Sequence, residues 1–445
     1  MTPEQLLQHL TSSLPATGCL WVGFSGGLDS SVLLHALSRT ALKPRLKALH
    51  VHHGLSANAD AWLAHCHDVC EQLDVELVAE RVTLDHSGDG IEEAARRARY
   101  QAFARHLQHG DVLLLAHHAD DQIETFFQRL LRGSGLQGLT AMAAEREWLA
   151  GVRLMRPLLP FSRTSLEAVA QQWQLSWVDD ESNFDERLER NWWRQTLLPQ
   201  VFARFPHKKP VVLRSLQQLQ QDQAMLQRLL LPYAQACLTT VNWPLTETQA
   251  LNTAAVQALD DDMRPYVIRH WLACAGVLQP SAQWLATLMN EVLSAAPDRQ
   301  PQLVLGNLAL RRFRNLLCLT HTAQAEPDCR WDGCTSLHWA GGQLQLQPAA
   351  EGLMEQGLMK QGLKPGAYRV TAAENVRGLT LTMKERPAKG LKALFQEAGV
   401  PVWLREVWPA IVADEATGLQ LVALPGIGIS RDFLVEGGLQ PVWSR

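Results

Sequence analysis

Ser25-Gly26-Gly27-Leu28-Asp29-Ser30-Ser31 follows the apolar run Leu20-Trp21-Val22-Gly23-Phe24 and leads into a second apolar stretch that ends near Ser38. The order reads as a strand, a glycine turn and a helix start. Glycines let the backbone turn tightly and bring its N–H groups against phosphate oxygens. The helix N-terminus adds a partial positive charge. Ser25, Ser30 and Ser31 supply hydroxyl donors. Asp29 is a poor neighbour for phosphate unless it holds Mg²⁺, so metal coordination is its expected role. The Gly-Lys-[Ser/Thr] ending of a Walker A loop is missing. A plain glycine turn with a Ser/Asp helix cap is the blander reading. The position between strand and helix, with two more motifs downstream, argues against it.

Working outward, strand-like and helix-like segments alternate over the first 160 residues. Leu46–His52 and Val75–Val82 read as strands, and Asp60–Leu73 and Ile91–Leu107 as helices. Asp111–Ala116 reads as a buried strand, followed by a helix over Asp120–Arg132. Strict alternation predicts an α/β fold with a doubly wound parallel sheet covered on both faces. Ligands then sit outside the carboxyl ends of the strands, where these motifs fall.

From about Pro206 the pattern changes. Residues 211–300 read as mostly helical, with breaks at Pro232, Pro244, Pro265 and Pro280. Short strands dominate from about 300, as at Leu303–Leu305 and Leu316–Leu319. Ala349–Gly366 is glycine-rich and reads as a linker. The expected organisation is a catalytic domain over 1–205, a mostly helical domain over 206–320, a linker region over 321–367 and a small α+β domain over 368–445.

Composition narrows the classes. The chain has 445 residues, 47% of them hydrophobic, and a net charge of −4. That excludes a disordered chain and a protein that binds nucleic acid by bulk charge. Among the eight cysteines there is no Cys-x-x-Cys pair, which argues against a zinc ribbon or cysteine-ligated cluster. No apolar stretch approaches the ~18 residues that span a bilayer, and Leu20–Phe24 is too short for a signal-peptide core. A cytoplasmic location is the expectation, with no membrane partner.

His117-His118-Ala119-Asp120-Asp121-Gln122-Ile123-Glu124 follows the strand at 111–116. Ile123, Phe126, Phe127, Leu130 and Leu131 form the apolar stripe of the next helix. Asp121, Glu124, Gln128 and Arg132 fall on the other side. The two carboxylates therefore lie one turn apart at the mouth of the sheet, and they suit Mg²⁺ or a cationic amine. A solvated helix start favoured by the dipole is the bland alternative, and a zinc site from His117, His118 and Asp121 a remote one.

These segments, with His50-Val51-His52-His53-Gly54, Gly90–Tyr100, Arg132–Leu139, Arg156–Leu159, Trp177–Asn183 and Arg190-Asn191, resemble the tRNA(Ile)-lysidine synthetase family of the PP-loop ATP pyrophosphatases. Leu391–Pro401, with Trp403 and Arg405, is similar to that family's C-terminal domain, although the Gly-Gly-Glu element usual before it is lacking at Leu381–Lys389. The resemblance covers the first 200 residues well and the last 70 moderately. It implies an ATP- and Mg²⁺-dependent ligase. Its partners would be free L-lysine and a tRNA(Ile) with a CAU anticodon, and its product lysidine at the wobble cytidine. It implies ATP binding by Ser25, Gly26, Gly27, Leu28, Asp29, Ser30, Ser31, Val51, His52 and His117. It implies metal binding by Asp29 and Asp121, and catalysis by Asp29, Asp121, Glu124 and Arg132.

Basic clusters are candidate tRNA contacts: Arg96 in the first domain, Arg190 and Arg194 near its end, and Lys389, Lys392 and Arg405 in the tail. Each is also readable as a solvated face. A homodimer is one assembly open to such a chain. The rivals are another PP-loop tRNA-modifying enzyme such as a thiolase, an ATP-dependent amide ligase, and a non-catalytic nucleotide-binding module. The absence of Cys-x-x-Cys pairs argues against the first. Met1-Thr2-Pro3 offers no N-terminal cysteine glutaminase for the second. The third has no need of the acidic pair or the basic tail.

Overall fold

The computed structural model describes the chain except residues 55, 84–90, 180, 182–186, 244, 245, 247, 278, 279, 296–298, 300, 307, 322–325, 334, 348–360, 365, 416, 417, 437 and 445. Gly90, Ser182, Asn183 and most of the glycine-rich stretch 349–366 lie outside the described residues. The chain divides into two compact units, Met1–Leu226 and Gln227–Arg445.

The first unit is built on a six-stranded sheet of β1 (Leu20–Gly23), β2 (Leu46–His52), β3 (Glu76–Arg81), β4 (Val112–Leu114), β5 (Glu145–Leu149) and β6 (Val152–Met155), in the order β3-β2-β1-β4-β6-β5. All pairings are parallel except β5 with β6. Side chains of β1 alternate between two cores. Leu20 and Val22 join Leu6, Leu10, Val32, Leu33 and Leu37 on one face, while Trp21 joins Leu49, Phe103 and Leu113 on the other. Burial on both faces is why β1 is apolar throughout rather than alternating.

The helices are α1 (Pro3–Ser13), α2 (Leu28–Ser38), α3 (Ala59–Leu73), α4 (Ile91–His106), α5 (Ala119–Leu131), α6 (Leu136–Leu139) and α7 (Arg163–Gln172). They continue with α8 (Glu189–Trp192), α9 (Leu198–Arg204) and α10 (Lys209–Cys237). Helix α2 begins at Leu28, capped by Gly27, so Asp29 falls inside its first turn. The chain builds β1, β2 and β3 to one side and then crosses to the other side of β1 for β4. The order reverses between β1 and β4, where the loops at Ser25 and Ala116 open.

In the second unit, β7 (Leu238–Thr240), β8 (Gln249–Asn252), β9 (Gln302–Leu305), β10 (Leu308–Phe313) and β11 (Leu316–His321) form an antiparallel sheet in the order β7-β8-β11-β10-β9. The stretch 206–320, which reads as mostly helical, has helices at Arg264–Cys274 and Ala282–Thr287 but also this sheet. A second five-stranded sheet uses Cys329–Trp331, Tyr368–Ala372, Pro409–Glu415, Gly418–Leu424 and Gly428–Ile429, with a helix at Leu391–Glu397. The described part of 321–367 is sheet rather than plain linker. Trp331 and Trp339 from that segment are buried in the same core as Val370, Ile411 and Val422.

Candidate active site

The loop after β1 is held open by its own serines. Ser30 Oγ donates to the Gly27 carbonyl at 3.0 Å and lies 3.1 Å from Ser25 Oγ, while the Ser25 N–H donates back to Ser30 Oγ at 3.3 Å. Ser31 Oγ donates to the Gly26 carbonyl at 3.3 Å. Leu28, Ser30 and Ser31 are buried, whereas Ser25 is exposed. Gly26 has φ +80°, and a Cβ there would stand 3.0 Å from Cys66 Sγ and 3.1 Å from Val178 Cγ2. Glycine is required at that position on both counts. Cys66 packs against His50 (Sγ to Nδ1 3.4 Å), and burial, reinforced by Cys70, pushes its thiol up to about 12.

Asp29 points from the first turn of α2. Its Oδ2 accepts from Arg163 Nη1 at the start of α7, and His118 Nε2 lies 3.7 Å away. Its Oδ1 is buried without a hydrogen-bond partner. Burial raises the carboxyl above its ordinary range, although His118 and Arg163 pull it down.

The second wall is the start of α5. His118 and Asp121 form a reciprocal cap: the His118 N–H donates to Asp121 Oδ2 at 2.9 Å, and the Asp121 N–H donates to His118 Nδ1 at 3.4 Å. With Nδ1 accepting, Nε2 carries the proton. It faces Asp29 Oδ2 at 3.7 Å and Asp121 Oδ2 at 3.5 Å. Asp29 and Asp121, the two expected metal ligands, therefore converge on one histidine.

Two arginines grip the carboxylate pair. Arg190 donates to Asp121 Oδ1 at 2.7 Å and to Glu124 Oε2 at 3.1 Å. Arg194 donates to Glu124 Oε1 at 2.7 Å, to Glu124 Oε2 at 2.9 Å and to Asp121 Oδ1 at 2.8 Å. Side-chain exposure is 6% for Asp121 and 2% for Glu124, against 33% and 37% for the arginines. Burial alone would raise the Asp121 carboxyl; His118, Arg190, His117 and Arg194 reverse it and hold it well below the carboxylate range.

Arg190 and Arg194, read from sequence as tRNA contacts, thus lie on the acidic pair. Arg132, read as a companion of that pair, does not: α5 ends at Leu131, and Arg132 is exposed and paired with Glu189 at 2.5 Å. His117 Nδ1 is buried without a partner, and burial lowers its pKa to about 3. His52, at the end of β2, lies 3.2 Å from Asp60, while Val51 packs beside Trp21 and Leu49. Arg96 stacks over Tyr100 at 5.1 Å. Lys389 pairs with Glu397 at 2.5 Å and Lys392 is exposed. Arg405 donates to the Val400 carbonyl at 2.9 and 2.7 Å.

Sequence reading misses Arg163 and Lys209. The Arg163 N–H donates to Asp120 Oδ2 at 2.8 Å, and Lys209 Nζ lies 2.6 Å from Asp120 Oδ1. No local pattern marks either residue, because their partners lie far off in sequence.

Three family models match in series: a PP-loop domain over residues 2–201, a TilS substrate binding domain over 251–318 and a TilS substrate C-terminal domain over 372–443. A tRNA(Ile)-lysidine synthase of Shigella flexneri is 40% identical over 439 residues, covering 95% of this chain and 96% of the relative. The chain belongs to the tRNA(Ile)-lysidine synthase family. The Serratia proteamaculans (strain 568) synthase is 39% identical over 446 residues, covering 99% of this chain and 98% of its own length. Among solved structures, the U34-tRNA thiolase NcsA from Methanococcus maripaludis matches with 16% identity and a TM-score of 0.40. That match covers 48% of this chain and 78% of the thiolase.

In this chain the PP-loop domain has the donor set of an ATP-using enzyme: loop N–H groups, serine hydroxyls and a helix N-terminus. Mg²⁺ needs one or two carboxylates plus phosphate oxygens. Asp29, with an orphaned buried oxygen, fits that demand. Asp121 fits less well, since both of its oxygens are engaged by His118, Arg190 and Arg194. Among the described residues, no group of three or more His, Cys, Asp or Glu side chains is arranged to hold a metal. No helix is long and apolar enough to cross a membrane, among the same residues.

Proposed function

We propose that this protein adenylates the wobble cytidine, position 34, of a tRNA(Ile) with a CAU anticodon and then joins free lysine to it. The cytidine O2 attacks the α-phosphate of ATP and pyrophosphate leaves. The lysine ε-amine, having lost its proton, then attacks C2, and AMP departs with the former O2. The observation that carries this reading is the pairing of a phosphate loop with a buried Asp121–Glu124 pair across one histidine.

Ser25–Ser31 grips the pyrophosphate portion of ATP, and phosphoryl transfer then depends mainly on positioning and charge neutralisation. Mg²⁺, held by Asp29 and phosphate oxygens, would offset the charge that develops on the leaving pyrophosphate. Val51, His52 and His117 line the approach of the adenosine. Asp121, held ionised, and Glu124 orient the lysine ammonium, and Glu124 takes its proton. A free lysine amine titrates near ~10.4, so this step needs a group that takes its proton. Arg190 and Arg194 occupy those carboxylates, and lysine must compete with them or displace them toward substrate phosphates. Arg132 and Arg96 lie nearer the RNA.

The catalytic work falls to residues 1–205. Residues 206–320 and 368–445 contact the tRNA body, with Lys389, Lys392 and Arg405 as tail contacts. A cytoplasmic enzyme fits these substrates. A homodimer is the proposed assembly, checked by light scattering. The decisive test measures AMP release from ATP with each substrate omitted in turn. Release that requires both lysine and tRNA(Ile) is expected. Turnover with ammonia in place of lysine, or with no tRNA, overturns the proposal.

A further inference from the structure

The second unit contains a cleft of about 140 Å³ lined by Gln302, Arg311, Arg312, Val402, Trp403 and Glu406. Gln302 and Arg311 are opposite each other on β9 and β10 and so share a face of the sheet. Phe313, two residues on, shares it too. Trp403, from the short helix Val402–Arg405, covers that face. The Arg311 guanidinium stands 5.6 Å over its ring, and Phe313 meets it edge-on at 6.0 Å.

Two N–H donors are left over. Arg311 Nε and Trp403 Nε1 are buried with no hydrogen-bond partner. Buried donors without acceptors are expensive, and native folds rarely keep two in one place. Charge is only partly compensated. Burial depresses the Arg311 pKa and only Glu406 opposes it; Glu406 is itself 3.8 Å from Arg377. Arg405 is lowered by burial and by the nearby Arg314, so the surroundings are cationic. Arg312, on the opposite face, is spent on the carbonyls of Val292, Leu293 and Ala295.

We propose that this cleft holds one backbone phosphate of the bound tRNA, with Arg311 and the Trp403 indole N–H as its donors. The donor set asks for an acceptor-only ligand, and a phosphate oxyanion supplies one. The volume equals that of about four or five waters, which suits a phosphate group and not a whole nucleoside. The assignment rests on the reading that tRNA is the substrate. A phosphate contact carries no base information. It therefore strengthens binding of tRNA(Ile) and of a tRNA(Met) with the same anticodon alike.

The test is binding of unmodified tRNA(Ile) transcript to the full chain across a salt series. Arg311→Ala is expected to weaken binding ~10-fold and to reduce the salt slope by about one. Arg311→Lys restores part of the loss. Trp403→Phe keeps a ring but removes the N–H, and weakens binding ~3-fold; it serves as the second variant, with circular dichroism as the folding check for both. Equal losses for tRNA(Met) support a backbone contact, whereas a loss confined to tRNA(Ile) overturns it. If inorganic phosphate at fixed ionic strength binds through Arg311 while tRNA affinity is unchanged, the cleft serves a free anion and the proposal fails. A wild-type protein that binds no tRNA refutes the underlying reading. Wild-type binding with unchanged affinity and slope in both Arg311→Ala and Trp403→Phe refutes the cleft alone.

Discussion

Arg163 closes on Asp29 across 134 positions of sequence and so ties the first turn of α2 to the start of α7. The same side chain reaches Glu167 at 3.1 Å, and its backbone N–H reaches Asp120 at 2.8 Å. One oxygen of Asp29 is thereby satisfied and the other is left buried and unpartnered.

Asp29→Asn keeps the shape and removes the negative charge. AMP formation is expected to fall ~100-fold or more, a loss of the size seen when one electrostatic contact to a transition state is removed. Raising Mg²⁺ should recover little of it. Rapid-quench measurement of AMP decides the matter, and ordinary rates at ordinary Mg²⁺ would exclude Asp29 from the metal site.

Arg163→Ala removes a positive neighbour that lowers the Asp29 carboxyl, whose pKa burial already raises. The carboxyl should climb further. Metal binding needs the ionised form, so the acid limb of the pH–rate profile is expected to move to higher pH. Arg163→Lys should hold the limb near its original place. An unmoved limb in Arg163→Ala would mean that Asp29 does not set it.

Glu124→Gln leaves Arg190 and Arg194 with fewer acceptors in a site where Glu124 is 2% exposed. Removing one partner of a buried pair costs about 3–5 kcal/mol. The arginines are a third exposed, so ~1–3 kcal/mol is the expected loss here. Lysine KM should rise at least ~10-fold. If KM and rate both stay put, Glu124 is not a lysine ligand.

Stability should fall on mild acidification. Burial, then the charge of Arg39, lowers His35 to about 4 from an ordinary 6.5. Between these values the unfolded chain binds the proton and the folded chain does not, so stability is full above pH 6.5 and is lost as pH falls toward 4. His117, lowered to about 3, works in the same direction. His35→Asn should flatten the pH profile of the unfolding free energy between pH 6.5 and 4 by ~1 kcal/mol after allowance for solvent. A slope identical to wild type would assign the acid sensitivity elsewhere.

The phosphate loop is legible in sequence because strand, glycines and helix start are contiguous. The partners of the acidic pair are not. Arg190 and Arg194 lie 66 to 73 positions from Asp121 and Glu124. An arginine in a polar stretch reads as a phosphate contact until burial of two carboxylates draws it in. Arg132 misleads in the opposite sense: helical spacing puts it on the acidic face, but the helix stops one residue earlier. In the second unit, strands of three or four residues such as Leu238–Thr240 and Gln249–Asn252 are too short for periodicity to separate from helix. Gln249–Asn252 becomes a strand by pairing with the longer β11, and Leu238–Thr240 by pairing in turn with Gln249–Asn252.

Cys66 lies directly under Gly26 and, with its thiol held near 12, is almost wholly protonated at neutral pH. Oxidants and alkylating agents react with thiolate, and they find none there. Any adduct that did form would have to lift the glycine turn out of place. The floor beneath the glycine turn is thus unreactive toward thiol reagents, and the shape of that turn does not depend on the redox state of its surroundings.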